Sequence, residues 1–243
     1  MSEKSPRFRR IMLKLSGEAL MGDDSFGIAP SVLEQVASEV ASVHNLGIEV
    51  GLIIGGGNIF SGLQAESYGV GRVAADHMGM LATIINSLAL SEALQNAGCE
   101  SRIMTAIDMI KIAEPYVRKR ALRHLEKSRI VIVGGGTGNP YFTTDTAAAL
   151  RAMEIGADVL LKATRVDGVY DSDPEKNPSA VPFDEMIYSD LLQKNLKVMD
   201  LTAVSLAMGQ NLPIIVFNLL KNGNFKKLML GENIGTLIKG DLS

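Results

Sequence analysis

The chain has 243 residues, a formal net charge of −3 at pH 7, 47% hydrophobic residues and 21% charged residues. This composition is that of an ordinary globular protein, and it argues against disorder and against nucleic acid or an anionic membrane as a partner. Cys99 is the single cysteine, which excludes an intrachain disulfide and a thiolate metal cage. The N-terminus has no export-signal pattern, and no stretch approaches the ~20 apolar residues of a membrane span. We therefore expect a cytoplasmic protein.

Strand and helix patterns alternate along the chain. Strands are predicted at Ile11–Leu15, Glu49–Ile54, Ser101–Ile107, Arg129–Val133, Asp158–Ala163, Pro213–Phe217 and Gly235–Ile238. Helices are predicted from Pro30 to Gly47, at Arg72–Ala97, Tyr116–Lys127, Thr144–Ile155, Asp200–Gln210 and Phe225–Leu230. Asp167-Gly168 signals a hairpin turn, and Asp173–Pro182 is expected to be loop. The alternation predicts one domain over residues 1–243, a three-layer α/β/α sandwich around a mostly parallel sheet.

Three of the predicted strands run directly into glycine-containing turns. These are Ser16-Gly17, Gly55-Gly56-Gly57 and Gly134-Gly135-Gly136. Glycine lets a backbone approach an anion closely and point its N–H groups at it, and the carboxyl ends of parallel strands meet at one edge of a sheet. The pattern predicts a phosphate-binding edge, although tight turns also use glycine for steric reasons alone. No G-x-x-x-x-G-K-[ST] motif is present, so a lysine that meets phosphate must come from elsewhere.

Two lysines stand near the ends of apolar strands, Lys14 in Ile-Met-Leu-Lys-Leu and Lys162 in Val-Leu-Leu-Lys-Ala. Lysine is rarely buried without a partner. Either these side chains reach out to solvent, or they neutralise charge in a phosphate site. Asp145, at the start of a predicted helix, could serve as a helix cap or could hold a lysine in place. Asp76 lies four residues after Arg72, so an ordinary surface ion pair explains it as well as a site does.

Other chemistries lack their motifs. The chain has no H-E-x-x-H, no G-x-S-x-G and no Cys/His spacing for a metal. We therefore expect no metal site built from side chains.

The strand lysines and glycine turns resemble those of the amino acid kinase family and, within it, of the bacterial uridylate kinases. The matching segments are Lys14–Leu20, Gly55–Asn58, Asp76–Met80, Thr137–Thr144, Lys162–Thr164, Val166–Tyr170 and Lys197–Asp200. The resemblance itself covers essentially the whole chain. The resemblance implies the amino-acid-kinase fold and an enzyme that moves the γ-phosphoryl group of ATP to UMP in pyrimidine nucleotide biosynthesis.

The resemblance also implies a division of the site. The catalytic residues would be Lys14, Asp145 and Lys162. ATP would be bound by Lys14, Leu15, Ser16, Gly17, Gly57, Thr164, Tyr170 and Asp173. UMP would be bound by Gly56, Asp76, Thr137, Gly138, Asn139, Pro140, Tyr141, Phe142, Thr143 and Thr144. The UMP-binding part would cover roughly residues 8–160, and the ATP-binding part residues 161–243.

Further properties come from the same resemblance. It implies Mg²⁺ bound with ATP, a homohexamer, activation by GTP and inhibition by UTP. The GTP site would involve Gly22, Asp23, Asp24, Ser25, Phe26 and Gly27, which by themselves form only an acidic, glycine-bounded surface loop. Ser61 departs from the family, which usually places an arginine there to contact phosphate. Either Arg72 takes over that contact, or the site tolerates weaker binding.

Two other functions remain open on the sequence. A kinase of the same fold could phosphorylate a carboxylate such as glutamate or acetylglutamate. The fold could also serve a non-enzymatic storage or sensing assembly, although Lys14, Asp145 and Lys162 are all present.

Overall fold

A computed structural model describes residues 5–60, 69–194, 196 and 198–240. Within these residues, one sheet has the strand order β4-β3-β5-β2-β1-β6-β8-β9-β7. The strands are β1 Arg10–Leu15, β2 Glu49–Ile54, β3 Ser101–Thr105, β4 Glu114–Pro115, β5 Ile130–Gly134, β6 Val159–Thr164, β7 Glu185–Ile187, β8 Ile214–Asn218 and β9 Thr236–Lys239. Neighbouring strands pair in parallel except for β8 and β9, which are antiparallel.

Helices cover both faces of the sheet. They are α1 Pro30–His44, α2 Arg72–Asn96, α3 Arg118–Glu126, α4 Thr144–Ile155, α5 Tyr188–Gln193, α6 Leu201–Gly209 and α7 Asn224–Met229, with a 3-10 turn at Gly17–Leu20. One hydrophobic core joins the sheet to α1, α2 and α7, and a second joins it to α3, α4, α5 and α6. The predicted three-layer α/β/α sandwich with a mostly parallel sheet is confirmed.

The alternation of side chains along β1 decides where its lysine points. Ile11, Leu13 and Leu15 belong to the core beneath α1 and α2, whereas Met12 belongs to the core beneath α4. Successive side chains of a strand point to opposite faces. Lys14 therefore lies on the face of Met12, directed towards α4.

Most predicted elements are present within two residues of their predicted bounds, but the structure differs from the prediction in three respects. Strand β3 ends at Thr105, before Ile107. The short elements β4, β7 and α5 were not predicted. Asp167-Gly168 forms no hairpin, because β6 pairs with β1 and β8. Glycine suits position 168 for another reason, since a Cβ there would lie 2.5 Å from Thr236 Oγ1.

Helix α2 has 25 residues and a mean hydropathy of 1.3 over its most apolar window, enough by length and composition to cross a membrane. The expectation that no stretch approaches a span was therefore too strict. The helix packs on α1, β2, β3 and β5 in the outer layer of the sandwich. Core helices of soluble proteins can be equally long and apolar, so α2 is interpreted as part of the fold. Ser61 and Lys197 lie outside the described residues.

Candidate active site

Two neighbouring strands bring the two strand lysines together. Lys14 on β1 is directly paired in register with Lys162 on β6, so both side chains emerge on the same face of the sheet. Lys14 Nζ lies 2.7 Å from Asp145 Oδ1, and Lys162 Nζ lies 2.8 Å from Asp145 Oδ2. Lys162 also donates a hydrogen bond to the carbonyl of Val198. Lys14 is only 6% exposed, so it does not reach out to solvent, and one carboxylate holds both ammonium groups.

The start of helix α4 positions Asp145. Thr143 is the N-cap, and its hydroxyl accepts hydrogen bonds from the backbone N–H groups of Asp145 and Thr146 at 3.0 and 3.3 Å. Because Thr143 fills the cap position, the Asp145 side chain is free to bridge the lysines. The alternative that Asp145 is itself the cap is thus wrong for this helix.

A second aspartate supports this arrangement. Asp200 accepts hydrogen bonds from the hydroxyls of Thr143 and Thr146 and caps helix α6 by accepting from Ala203 N at 2.9 Å. It thereby joins the N-termini of α4 and α6. No role was predicted for Asp200, although an aspartate just before an apolar helix is a recognisable capping signal.

The net effect of burial and the neighbouring charges is to lower the pKa of both Asp145 and Lys162. Burial would raise the pKa of Asp145, but the ammonium groups of Lys14 and Lys162 outweigh it and hold the pKa below the usual carboxyl value. Burial lowers the pKa of Lys162, and the nearby Lys14 charge adds to this effect, although Asp145 opposes both. The cluster holds two buried cations around one anion, so its net positive charge faces whatever anion binds beside it.

The glycine turns after β1 and β2 touch each other. A Cβ at Gly17 would lie 2.7 Å from both Gly55 O and Gly57 N, and Gly55 N donates to Leu15 O at 2.8 Å. The Ser16-Gly17 turn therefore packs directly on the Gly55–Gly57 turn, beside Lys14 at the end of β1. The third glycine turn follows β5, the other neighbour of β2, and Gly135 N donates to Thr83 Oγ1 at 2.8 Å. The predicted convergence of these turns at one edge is confirmed.

A small cleft of about 130 Å³ is lined by Thr144, the chain neighbour of Asp145. Residues from the Gly55–Gly57 turn, helix α2 and the 136–144 segment line it: Gly56, Phe60, Ala75, Asp76, Gly79, Met80, Thr83, Gly136, Thr137, Phe142 and Thr144. Asp76 accepts from Tyr141 N at 2.7 Å and from Arg72 Nε at 2.8 and 3.0 Å. Asp76 thus joins the two walls, so it does more than form a surface ion pair with Arg72.

The predicted UMP-binding residues divide into two groups. Gly56, Asp76, Thr137, Phe142 and Thr144 line the small cleft. The other residues build the loop behind it without lining the cleft, namely Gly138, Asn139, Pro140, Tyr141 and Thr143. In this loop Tyr141 has a φ of 72°, an uncommon conformation for a non-glycine residue, and Thr143 faces Asp200.

A larger and more apolar cleft of about 520 Å³ reaches the cluster at Lys162. Its lining residues come from β6, the loop after it, two residues before α6, and β8: Lys162, Thr164, Val166, Gly168, Val169, Tyr170, Ser172, Asp173, Pro174, Leu196, Val198 and Val216. The predicted ATP-binding residues Thr164, Tyr170 and Asp173 therefore share one cleft. The glycine-turn residues Leu15, Ser16, Gly17 and Gly57 do not line it and lie at the β1 and β2 ends.

The donors at this edge do not form a metal cage. No group of three or more His, Cys, Asp or Glu side chains suited to a metal ion occurs among the described residues. Both oxygens of Asp145 are already paired with lysine. A cation here would therefore be held chiefly by the ligand that brings it.

The loop of Gly22, Asp23, Asp24, Ser25, Phe26 and Gly27 lies behind the Gly55–Gly57 turn. Its last residue, Gly27, exchanges two hydrogen bonds with Asn58 at 2.8 and 2.9 Å, and the side chain of Phe26 is exposed. The assignment of an effector site to this loop stays a prediction. So do the two alternatives for Ser61, namely that Arg72 takes over the phosphate contact or that the site tolerates weaker binding.

Comparison with known proteins agrees with this architecture. The model of the amino acid kinase family matches residues 9–218. The UMP kinase of Bacillus anthracis is 45% identical, with a TM-score of 0.93 and 97% of each chain covered. The UMP kinase of Ureaplasma parvum is 36% identical, with a TM-score of 0.89 over 96% of this chain and 99% of that one. The uridylate kinase of Archaeoglobus fulgidus is 28% identical, with a TM-score of 0.72 over 94% and 99%. The chain therefore belongs to the amino acid kinase family.

Proposed function

We propose that the chain transfers the γ-phosphoryl group of MgATP to UMP, giving UDP and ADP. One observation carries this proposal: the Lys14–Asp145–Lys162 cluster adjoins both clefts. Thr144 lines the small cleft next to Asp145, and Lys162 lines the large one. Two ligands bound in these clefts would meet at a buried, positively charged point. Phosphoryl transfer between nucleotides needs such a meeting point, because anionic groups must approach each other there.

The chemistry of the clefts supports one nucleotide in each. UMP is assigned to the small cleft, where the Asp76 carboxylate would accept hydrogen bonds from ribose hydroxyls. ATP is assigned to the large cleft, whose apolar walls suit a base and whose end at Lys162 suits phosphates. The ATP phosphates would reach the glycine turns at Gly17 and Gly57, where backbone N–H groups can meet them.

The transfer needs no general base in this arrangement. A phosphate oxygen of UMP is already anionic, so it attacks the γ-phosphorus directly. The bond between the γ-phosphorus and the oxygen that bridges it to the β-phosphorus breaks, and ADP leaves with that oxygen. Lys14 and Lys162 stabilise the negative charge on the transferring group. Asp145 holds both ammonium groups in place, so they do not have to reorganise when the charge moves. Mg²⁺ would enter with ATP, held by phosphate oxygens and water, and would neutralise charge on the β- and γ-phosphates.

Self-association as a homohexamer belongs to the same proposal. Helix α2 exposes an apolar stripe with helical spacing, formed by Met78, Leu81, Ile85 and Leu88. Exposed contiguous apolar patches mark interaction surfaces, and this stripe supports burial against a second copy. Sedimentation should show an assembly larger than a monomer, and Ile85→Glu should reduce its size. GTP activation, UTP inhibition, a cytoplasmic location and a place in pyrimidine nucleotide biosynthesis are further parts of the proposal.

A coupled assay of ADP release tests the reaction. Purified protein with MgATP would receive UMP, CMP, glutamate or acetylglutamate in separate reactions. We expect release with UMP that exceeds release with CMP and with both carboxylates. Faster release with a carboxylate would replace the proposal with a carboxylate kinase, and release with none would indicate a non-enzymatic protein. Lys14→Met serves as the control for contaminating kinases.

A further inference from the structure

Helix α2 and the turn after β2 each bury an asparagine amide completely. Asn86 is 0% exposed and Asn58 is 1% exposed. Burying a polar amide is unfavourable unless it is hydrogen-bonded. The two amides bond each other reciprocally: Asn86 Nδ2 donates to Asn58 Oδ1 at 2.7 Å, and Asn58 Nδ2 donates to Asn86 Oδ1 at 3.0 Å. An apolar side chain at position 86 would fill the same space without needing hydrogen-bond partners, so the pair calls for an explanation.

Each amide has a second N–H group, and both of these groups hold backbone carbonyls. Asn86 Nδ2 donates to Gly55 O at 2.7 Å. Asn58 Nδ2 donates to Gly27 O at 2.9 Å, while Gly27 N donates back to Asn58 O at 2.8 Å. All four side-chain N–H groups are therefore used. The pair ties three segments together: helix α2, the Gly55–Gly57 turn and the end of the 22–27 loop.

A fourth segment rests on the same pair. A Cβ at Gly17 would lie 2.6 Å from Asn58 Oδ1. The Ser16-Gly17 turn therefore packs against the Asn58 amide as well as against the Gly55–Gly57 turn. Helix α2 also supplies Asp76 and Met80 to the small cleft. The pair thus fixes the distance between helix α2, which is one wall of the small cleft, and the Ser16-Gly17 and Gly55–Gly57 turns.

We infer that Asn58 and Asn86 are positioning residues that clamp the two glycine turns against helix α2, so that the turns' N–H groups keep their aim at bound phosphate. The aim at phosphate rests on the proposed function, whereas the clamp itself rests on the hydrogen bonds alone. Directional amide bonds specify one backbone position, and apolar packing of the same shape does not. Preorganised N–H donors matter most for charge that develops in the transition state.

The test compares Asn86→Leu with Ser91→Ala. Leucine is close in shape to asparagine and keeps the helix, but it frees Gly55 O and the Asn58 amide. Ser91 is a matched control, because it lies on the same helix, is 7% exposed and makes a single hydroxyl contact with Ser101 at 2.8 Å, away from both clefts. Asn86→Ser is the second variant in case leucine does not fold.

Two readouts are measured on folded variants: kcat and KM with UMP and MgATP, and hydrogen exchange of the backbone amides in residues 22–28 and 55–60. We expect Asn86→Leu to lower kcat by about tenfold or more, with smaller changes in KM, and to speed exchange in both segments. Ser91→Ala should do neither. Turnover of Asn86→Leu equal to that of Ser91→Ala, or exchange in both segments as slow as in wild type, would overturn the inference. If wild-type protein does not phosphorylate UMP, the proposed function fails, and the exchange rates alone decide the clamp.

Discussion

Asp145 and Asp76 each form ion pairs near the start of a helix, yet their surroundings differ. The Asp145 side chain is 13% exposed, and the side chains of its partners Lys14 and Lys162 are 8% and 16% exposed. The Asp76 side chain is 21% exposed, and its partner Arg72 is 60% exposed. Water screens the second pair, so it contributes little to stability. The Asp145 cluster is sensitive to the loss of its one anion, because little water reaches the two ammonium groups to replace that partner.

Asp145→Asn attacks the buried cluster most directly. It leaves two buried ammonium groups without a counter-charge, and breaking a buried pair in this way is expected to lower the free energy of unfolding by about 3–5 kcal/mol. The loss should shrink at alkaline pH, because the lysines can then shed their protons. Urea denaturation at several pH values measures both effects. An unchanged midpoint at neutral pH would mean that water reaches the cluster.

Lys14→Met separates catalysis from stability in the same cluster. Lys162 and Asp145 remain as a neutral pair, so thermal stability should stay near that of the wild type. Turnover should fall by at least ~10²-fold, as expected for the loss of one preorganised electrostatic contact. A folded variant with near-normal kcat would remove Lys14 from the reaction.

Asp76→Asn probes the exposed region, where a smaller effect is expected. The KM for UMP should rise by roughly tenfold or more, since a hydrogen bond to a charged group contributes about 1.5–3 kcal/mol. The KM for ATP should change little. Arg72→Gln is the control, because it breaks the ion pair and keeps the carboxylate. Equal effects of the two variants on both nucleotides would reduce Asp76 to a structural partner of Arg72.

The smallest expected effect is a shift in the alkaline limb of the pH profile of kcat/KM. Burial and the Lys14 charge lower the pKa of Lys162, so the alkaline loss of activity should begin below the usual lysine range. Between the lowered pKa and the usual one, the unfolded chain binds more protons than the folded chain, so this group makes stability rise with pH there. Lys162→Arg keeps its charge, and in this variant the alkaline limb should move to higher pH. A limb that stays in place would assign it to another group.

The periodic elements of the fold were predictable because local pattern and tertiary burial agree in them. Strand β2 at Glu49–Ile54 and helix α4 at Thr144–Ile155 have the bounds that the sequence predicts. The short strands β4 and β7 were missed, because two or three residues carry no usable period, and the six-residue helix α5 was missed as well. The Asp167-Gly168 signal misled for a related reason. A glycine selected by the close approach of Thr236 has the same local sequence as one selected by a turn.

The site shows the same division between sequence and structure. A lysine near the end of an apolar strand is visible in the sequence, so Lys14 and Lys162 are candidates on sequence grounds alone. That both lysines share the two oxygens of Asp145 follows only from the parallel pairing of β1 with β6. This pairing joins segments almost 150 residues apart in the chain. The amide clamp of Asn58 and Asn86 depends equally on tertiary contacts, because a buried asparagine in a helix looks in sequence like any polar residue.

Sequence alone determined which residues could carry charge and where the backbone could turn. The tertiary structure decided which of those charges are buried together, since burial and pairing arise only when distant strands become neighbours.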